Sequence, residues 1–321
     1  LHYRSIDDLN RIIVENIYRI PHDIDLIVGV PRSGMLVASM VALHSNRQLT
    51  DVEGYTHNRI MSTGLQRAKI GKKVNSVAES RRALVIDDSL LTGTEMKRVR
   101  GLIDAAGLTD RTMFATVLCN PEQENEIDLA FELCPTPRVF EWNLMHGHML
   151  PKSCVDIDGV LCLDPSKEQN DDGPKYHEFL RTARSLWRPT ATIGILVTSR
   201  LEKYRDLTEA WLAEQGIKYN KLEMMQYNTM LERQQAKAYG SFKAAIYAQS
   251  DMIFFIESSE VTTAEIARLS GKPALCIESH RLYDPSGVPH VRQRAKKAIQ
   301  GARSLIQRVK NKLKKLLTLS R

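Results

Sequence analysis

Apolar positions along the chain fall into two series in which short buried runs alternate with amphipathic stretches. Ser5 precedes a helical pattern that runs to about Arg19, with Asp8 three residues on as a partial capping box. Ile24 to Val30 is continuously apolar, as a strand buried on both faces would be, and Gly34 to about His44 predicts the next helix. Ala83 to Ile86 predicts a second buried strand and Thr94 to Ala106 a helix, with Gly107 as its C-cap. Thr112 to Cys119 reads as a third strand. Tyr55 to Val77 is polar, basic and without a period, which predicts a long functional loop. After Leu150-Pro151 the pattern restarts, with strands expected at Ser153 to Ile157, Ala191 to Val197, Met252 to Ile256 and Ala274 to Ile277. Helices are expected at Leu201 to Gln215, Leu231 to Gln249 and Val261 to Leu269. Strands alternating with helices predict the α/β class in two domains, residues 1–150 and 151–288.

Length supports two cores, since 321 residues exceed what one ordinary core encloses. A composition of 43% hydrophobic and 26% charged residues excludes disordered and fibrous classes. No apolar run reaches membrane-spanning length, and the first residues do not read as a secretory signal. Five scattered cysteines fit reduced cytoplasmic thiols better than a disulfide framework or a zinc site.

The net charge of +7 is concentrated at one end. Val291 to Arg321 holds 11 Lys/Arg and no acid, which leaves 34 basic and 38 acidic residues elsewhere. A general nucleic-acid surface is therefore not expected. From Val291 to Leu317 apolar residues recur at helical spacing, so residues 289–321 predict a basic amphipathic helix that docks on an anionic membrane surface. Packing against the chain itself is the plainer reading of such a stripe.

Two motifs carry chemistry in the first domain. Asp87 and Asp88 end a strand, and Ser89, Leu90, Leu91, Thr92, Gly93 and Thr94 turn into a helix. The turn's N–H groups and hydroxyls suit a phosphate, and the carboxylates suit ribose hydroxyls and Mg²⁺. A merely helix-capping acidic turn is the rival reading. This segment resembles the phosphoribosyl-pyrophosphate (PRPP) motif of type I phosphoribosyltransferases, which implies their Rossmann-like fold. Gly29-Val30-Pro31-Arg32-Ser33-Gly34-Met35, between a strand and a helix, resembles that family's pyrophosphate loop. The resemblance implies that Arg32, Ser33 and Gly34 bind the diphosphate. It also implies a mobile lid in the basic stretch with Arg59, Arg67, Lys69, Lys72 and Lys73, among which Arg67 and Lys69 are the expected ligands. Phe140-Glu141-Trp142-Asn143 and His146 stand where the family has its acceptor hood, although they resemble no base pocket and also fit plain packing.

In the second domain Cys154-Val155-Asp156-Ile157-Asp158-Gly159-Val160-Leu161 resembles motif I of the haloacid dehalogenase (HAD) phosphatases. The resemblance implies Asp156 as nucleophile and Asp158 as general acid and base. Ile195 to Arg200 resembles motif II, with Thr198, or less favourably Ser199, on the phosphate. Lys243 fits the motif III lysine, with Lys237 as runner-up. Glu257 stands in motif IV but is followed by Ser258 instead of a second acid, so Asp156, the Asp158 backbone and Glu257 would hold Mg²⁺, with Glu260 assisting through water. About 36 residues separate motifs I and II, which implies a small cap; Asn170-Asp171-Asp172-Gly173 in this insert reads equally as entrance or surface turn.

In combination and order the two motif sets are similar to dual-domain ribofuranosyltransferases of bacterial surface-glycan assembly. That resemblance implies transfer of ribose 5-phosphate from PRPP to a lipid-linked glycan with inversion to a β-ribofuranoside, then hydrolysis of the 5-phosphate. It implies Mg²⁺ in both domains and a peripheral position at the cytoplasmic face of the inner membrane. The rivals are a nucleobase phosphoribosyltransferase fused to a nucleotidase, and a PRPP-sensing regulator.

Overall fold

The continuous apolar runs form the central strands of two parallel sheets, so the chain is α/β. A computed structural model describes residues 1–62 and 74–289, and the chain divides between Met149 and Leu150. Arg67, Lys69, Lys72, Lys73 and the expected amphipathic helix beyond Pro289 lie outside the described residues.

In the first unit the main sheet has the order β3-β2-β4-β5-β6, all parallel. Its strands are β2 (Ile24–Gly29), β3 (Gln48–Asp51), β4 (Arg82–Leu90), β5 (Thr112–Cys119) and β6 (Leu129–Leu133). β1 (His2–Arg4) pairs separately with β7 (Arg138–Phe140). α1 (Ile6–Asn16) begins at the expected capping box, in which Ser5 and Asp8 bond each other's backbone N–H at 3.1 Å. It ends at Asn16, and Ile17–Arg19 continues as one 3₁₀ turn before Pro21.

Both faces of the sheet are covered, which is why its strands read as unbroken apolar runs. One core joins Leu84 and Ile86 to Leu9, Ile12 and Ile13 of α1 and to Val37 and Val41 of α2 (Gly34–Ser45). The other joins Ala83, Val85 and Phe114 to Tyr55 of α3 (Val52–Thr56) and to Met96, Val99 and Ile103 of α4 (Thr94–Ala105). Alternation of side chains along β4 supplies both cores at once.

The second unit has the order β10-β9-β8-β11-β12-β13, with only β13 antiparallel. These are β8 (Ser153–Val155), β9 (Ile193–Leu201), β10 (Tyr219–Met225), β11 (Phe254–Glu257), β12 (Ala274–Cys276) and β13 (Arg281–Tyr283). The helices are α5 (Pro174–Thr182), α6 (Arg205–Glu214), α7 (Met230–Ala236), α8 (Tyr239–Gln249) and α9 (Glu260–Ser270).

Several expectations need correction. The helix expected from Leu231 to Gln249 is two, because Lys237 takes a left-handed conformation at φ +46 and breaks the hydrogen-bond ladder. The helix expected from Leu201 starts at Arg205, after a 3₁₀ turn. β4 and β9 run past their apolar segments to Leu90 and Leu201, so Asp87, Asp88 and Thr198 lie within paired strands. The stretch from Tyr55 begins inside α3. All five cysteines are free and buried, and none of the described helices is long and apolar enough to cross a membrane.

Candidate active sites

In the first unit, neighbouring strands bring the two motifs together. Gly29 of β2 is in register with Ile86 of β4, and Val30 N–H donates to Ile86 O at 3.1 Å, so residues 31–34 leave β2 beside Asp87 and Asp88, which are still within β4. The Pro31–Arg32 peptide is cis. A Cβ on residue 34 would stand 2.7 Å from Asp87 Oδ1 and 3.0 Å from Ile86 O, so only glycine lets α2 start against the carboxylate. Ser33 Oγ donates to Asp88 Oδ1 at 2.8 Å, and Trp142 Nε1 donates to Asp88 Oδ2 at 2.8 Å. Asp88 N–H donates to Asp87 Oδ1 at 2.9 Å. Burial and then the adjacent Asp88 charge push the Asp87 carboxyl up to about 8.

Past these acids, Gly93 at φ +76 turns the chain into α4, and Thr92 and Thr94 place exposed hydroxyls 3.0 Å apart. The first N–H groups of α4 and these hydroxyls form a surface suited to a phosphate. Arg32 is exposed, Ser89 half-buried and Leu91 exposed, all available to a ligand. The Leu90 side chain is 3% exposed and belongs to the core, which leaves only its backbone for a ligand. Arg59 is exposed and stands 3.5 Å from Asp51.

The second site lies at the carboxyl ends of β8, β9 and β11. Lys243 Nζ from α8 reaches Asp156 Oδ2 at 2.6 Å and Glu257 Oε2 at 2.7 Å, all three groups buried. Burial pushes the Asp156 carboxyl up, against the pull of Lys243 and with help from the Glu257 and Asp158 charges. Burial alone would lower the Lys243 pKa, but its two carboxylates outweigh it and raise it above the usual lysine range. Thr198 is fully buried, whereas Ser199 is half-buried, with its carbonyl accepting from Arg233 at 2.8 Å. Lys237 is exposed, which separates it from this cluster.

Asp158 is held by an arginine from β9. Arg200, fully buried, donates from Nη2 to Asp158 Oδ1 at 2.7 Å and from Nε to Oδ2 at 3.1 Å. Burial would raise the Asp158 carboxyl, but Arg200 outweighs it and holds it below the usual range. Glu260 pairs with Arg281 at 3.3 Å. Asp171 caps α5, accepting from the N–H groups of Gly173 at 2.9 Å and Tyr176 at 3.0 Å, and Asp172 accepts from Lys203 at 3.0 Å and Tyr204. The acidic turn of the insert is therefore held in structural bonds.

Among the described residues no three His, Cys, Asp or Glu side chains converge as a ready metal cage. Two buried carboxylates per site are nevertheless the donor set Mg²⁺ uses when substrate phosphates and water complete its shell. Asp87 with Asp88, and Asp156 with Glu257, supply such hard oxygens. Asp164 was given no role by the sequence. Burial raises its carboxyl, and so do the charges of Asp158 and Glu257, which places it beside the second site.

Trp142 stands in the expected hood and Arg200 ends the motif II segment, but the sequence assigns neither its bond to Asp88 or Asp158. An arginine inside an apolar strand and an indole N–H near an acidic pair are weak signals without the partners the fold supplies.

No protein-family model matches this chain, and no curated protein matches it by sequence. Among solved structures it is similar to a purine phosphoribosyltransferase from Pyrococcus horikoshii Ot3, at 17% identity and TM-score 0.31, covering 44% of this chain and 92% of that one. It is similar to the xanthine-guanine-hypoxanthine phosphoribosyltransferase of Helicobacter pylori, at 16% identity and TM-score 0.33, over 44% of this chain and 92% of that one. A third similarity is to adenine phosphoribosyltransferase from Leishmania tarentolae, at 14% identity and TM-score 0.26, over 42% of this chain and 71% of that one.

Proposed function

We propose that the chain is a two-step ribofuranosyltransferase of bacterial surface-polysaccharide assembly. It transfers ribose 5-phosphate from PRPP to a lipid-linked glycan and then removes the 5-phosphate. The observation that supports this reading is a buried acidic pair at the carboxyl edge of each sheet, Asp87–Asp88 and Asp156–Glu257, with hydroxyl, amide or ammonium groups nearby that suit a phosphate.

In the first unit Asp87 and Asp88 hold the ribose hydroxyls. Thr92, Thr94 and the amides from Leu91 hold the 5-phosphate, and Arg32 with Ser33 and the start of α2 receive the pyrophosphate. Mg²⁺, when bound, neutralises charge on the departing pyrophosphate. Cleavage of the C1–O bond leaves an oxocarbenium-like centre open to the acceptor hydroxyl on the opposite face, which gives the β-ribofuranoside.

In the second unit Asp156 attacks phosphorus while Thr198 and Lys243 hold the phosphoryl oxygens. As the P–O ester bond breaks, Asp158, which takes up a proton when its pair with Arg200 opens, gives that proton to the leaving ribose oxygen and then takes one from the water that cleaves the aspartyl phosphate. Loss of the phosphate ester makes the sequence irreversible. The basic segment beyond Pro289 would keep the enzyme peripheral, at the cytoplasmic face of the inner membrane, beside its lipid-linked acceptor.

Pyrophosphate release from PRPP and Mg²⁺ tests the acceptor class. Release on adding a synthetic lipid-tailed glycan supports the proposal. Release only on adding a nucleobase makes the chain a salvage enzyme, and no release with either leaves a PRPP-binding regulator.

A further inference from the structure

Strand β7 carries an arginine into the interior of the first unit. Arg138 is 5% exposed, and its one described hydrogen bond runs from Nη1 to Cys134 O at 3.3 Å. Its guanidinium carbon lies 5.4 Å from the Phe140 ring centroid. Among the described residues no carboxylate stands within ion-pair distance of it, whereas Arg200 and Lys243, equally buried, are each paired with acids. The Asp88 charge acts on Arg138, but Asp88 stands beyond ion-pair distance of it and is held by Ser33 and Trp142. A buried cation without a counter-ion is costly unless something that binds later supplies one.

The guanidinium has somewhere to receive it. Arg138 lines a cavity of about 170 Å³ with Ser89, Leu91, Phe140, Asn143 and His148, and no acidic residue lines this cavity. Ser89 and Leu91 follow directly on Asp87 and Asp88, so the cavity borders the place proposed for the ribose. It is smaller than the roughly 300–1,000 Å³ that holds an extended ligand, and so takes one ring. Leu91 and Phe140 offer that ring apolar faces, while Asn143 and His148 offer hydrogen bonds to hydroxyls.

We propose that this cavity is the acceptor subsite and that Arg138 reads a carboxylate on the acceptor, which makes the acceptor sugar an acidic one. The inference rests on the reading of the first unit as a PRPP-dependent transferase. A planar guanidinium matches a carboxylate with two parallel N–H···O bonds, which a neutral hydroxymethyl group cannot accept. Selectivity therefore comes from the buried charge of Arg138, which no described acid pairs.

The test uses the full chain and two probes, methyl glucopyranosiduronate and methyl glucopyranoside, which differ only in carboxylate against hydroxymethyl. Binding is followed by NMR titration, alongside thermal stabilisation of the wild type by PRPP with Mg²⁺. The wild type should bind the uronate at least about ten-fold more tightly. Arg138→Gln should bind both alike, and Arg138→Lys, which keeps the charge but loses the fork, should fall between. A wild type stabilised by PRPP that binds both glycosides equally overturns this inference alone. A wild type that prefers the uronate but is not stabilised by PRPP overturns the transferase reading, and the acceptor assignment with it.

Discussion

The ammonium of Lys243 stands 2.6 Å from Asp156 and 2.7 Å from Glu257, one buried cation between two carboxylates drawn from separate strands. It offsets the charge of two buried acids, to which the proposed function gives the roles of nucleophile and metal ligand. Lys243→Met removes that cation. The variant should lose about 3–5 kcal/mol at neutral pH, as buried pairs do when one partner goes. The loss should shrink on acidification, because a carboxyl raised above its unfolded value stabilises at low pH and destabilises as pH rises. Urea unfolding at pH 5 and pH 8 checks this, and an equal deficit at both would contradict it.

Asp87 gives the first unit its own pH signature. Its carboxyl is pushed to about 8 by burial and by Asp88, against about 3.9 in an unfolded chain. Between those values the folded state holds a proton that the unfolded state has lost, so the contribution to stability falls from pH 4 to pH 8. Asp87→Asn keeps an oxygen for the Asp88 N–H and removes the titration. It should leave stability unchanged near pH 4 and raise it near pH 8, measured by thermal unfolding across that range.

Gly34 lets α2 start against the Asp87 carboxylate, where a side chain would not fit. Gly34→Ala places a methyl group 2.7 Å from Asp87 Oδ1 and 3.0 Å from a backbone carbonyl. Overpacking of this kind costs about 1–3 kcal/mol, and here it displaces the start of α2 from the carboxylates. Calorimetry should show weaker PRPP binding together with the lost stability. Unchanged PRPP affinity would separate this loop from the donor site.

Arg200 governs the ionisation of Asp158. Its two hydrogen bonds hold the carboxyl below the usual range despite burial. In Arg200→Gln that hold is gone and burial prevails, so the pKa of Asp158 rises. The acid limb of phosphomonoester hydrolysis, measured with p-nitrophenyl phosphate, should move to higher pH. An unmoved limb would remove Asp158 from the proton transfers.

The sequence makes the sheets legible and hides what joins them. Leu84 to Ile86 shows a buried strand, but pairing with β5 continues to Leu90 whatever the side chains, so Asp87 and Asp88 look like the end of a strand when they lie within it. β1 and β7 have three residues each, too few to show a period. The break at Lys237 carries no glycine or proline to announce it. Asp87, Asp156 and Lys243 were legible because each stands in a recognisable local context. Arg200 and Trp142 show in the sequence only as members of their segments, and Arg138 not at all, because their partners are 42 and 54 residues away or, for Arg138, no described acid pairs with it.

The central claim is that one chain performs two reactions in a fixed order. Mass spectrometry of a lipid-tailed glycan incubated with PRPP, Mg²⁺ and either the wild type or Asp156→Asn tests it most directly. The account predicts a gain of one pentose with the wild type and one phosphopentose with the variant. A single pentose from both, or no gain from either, would contradict it.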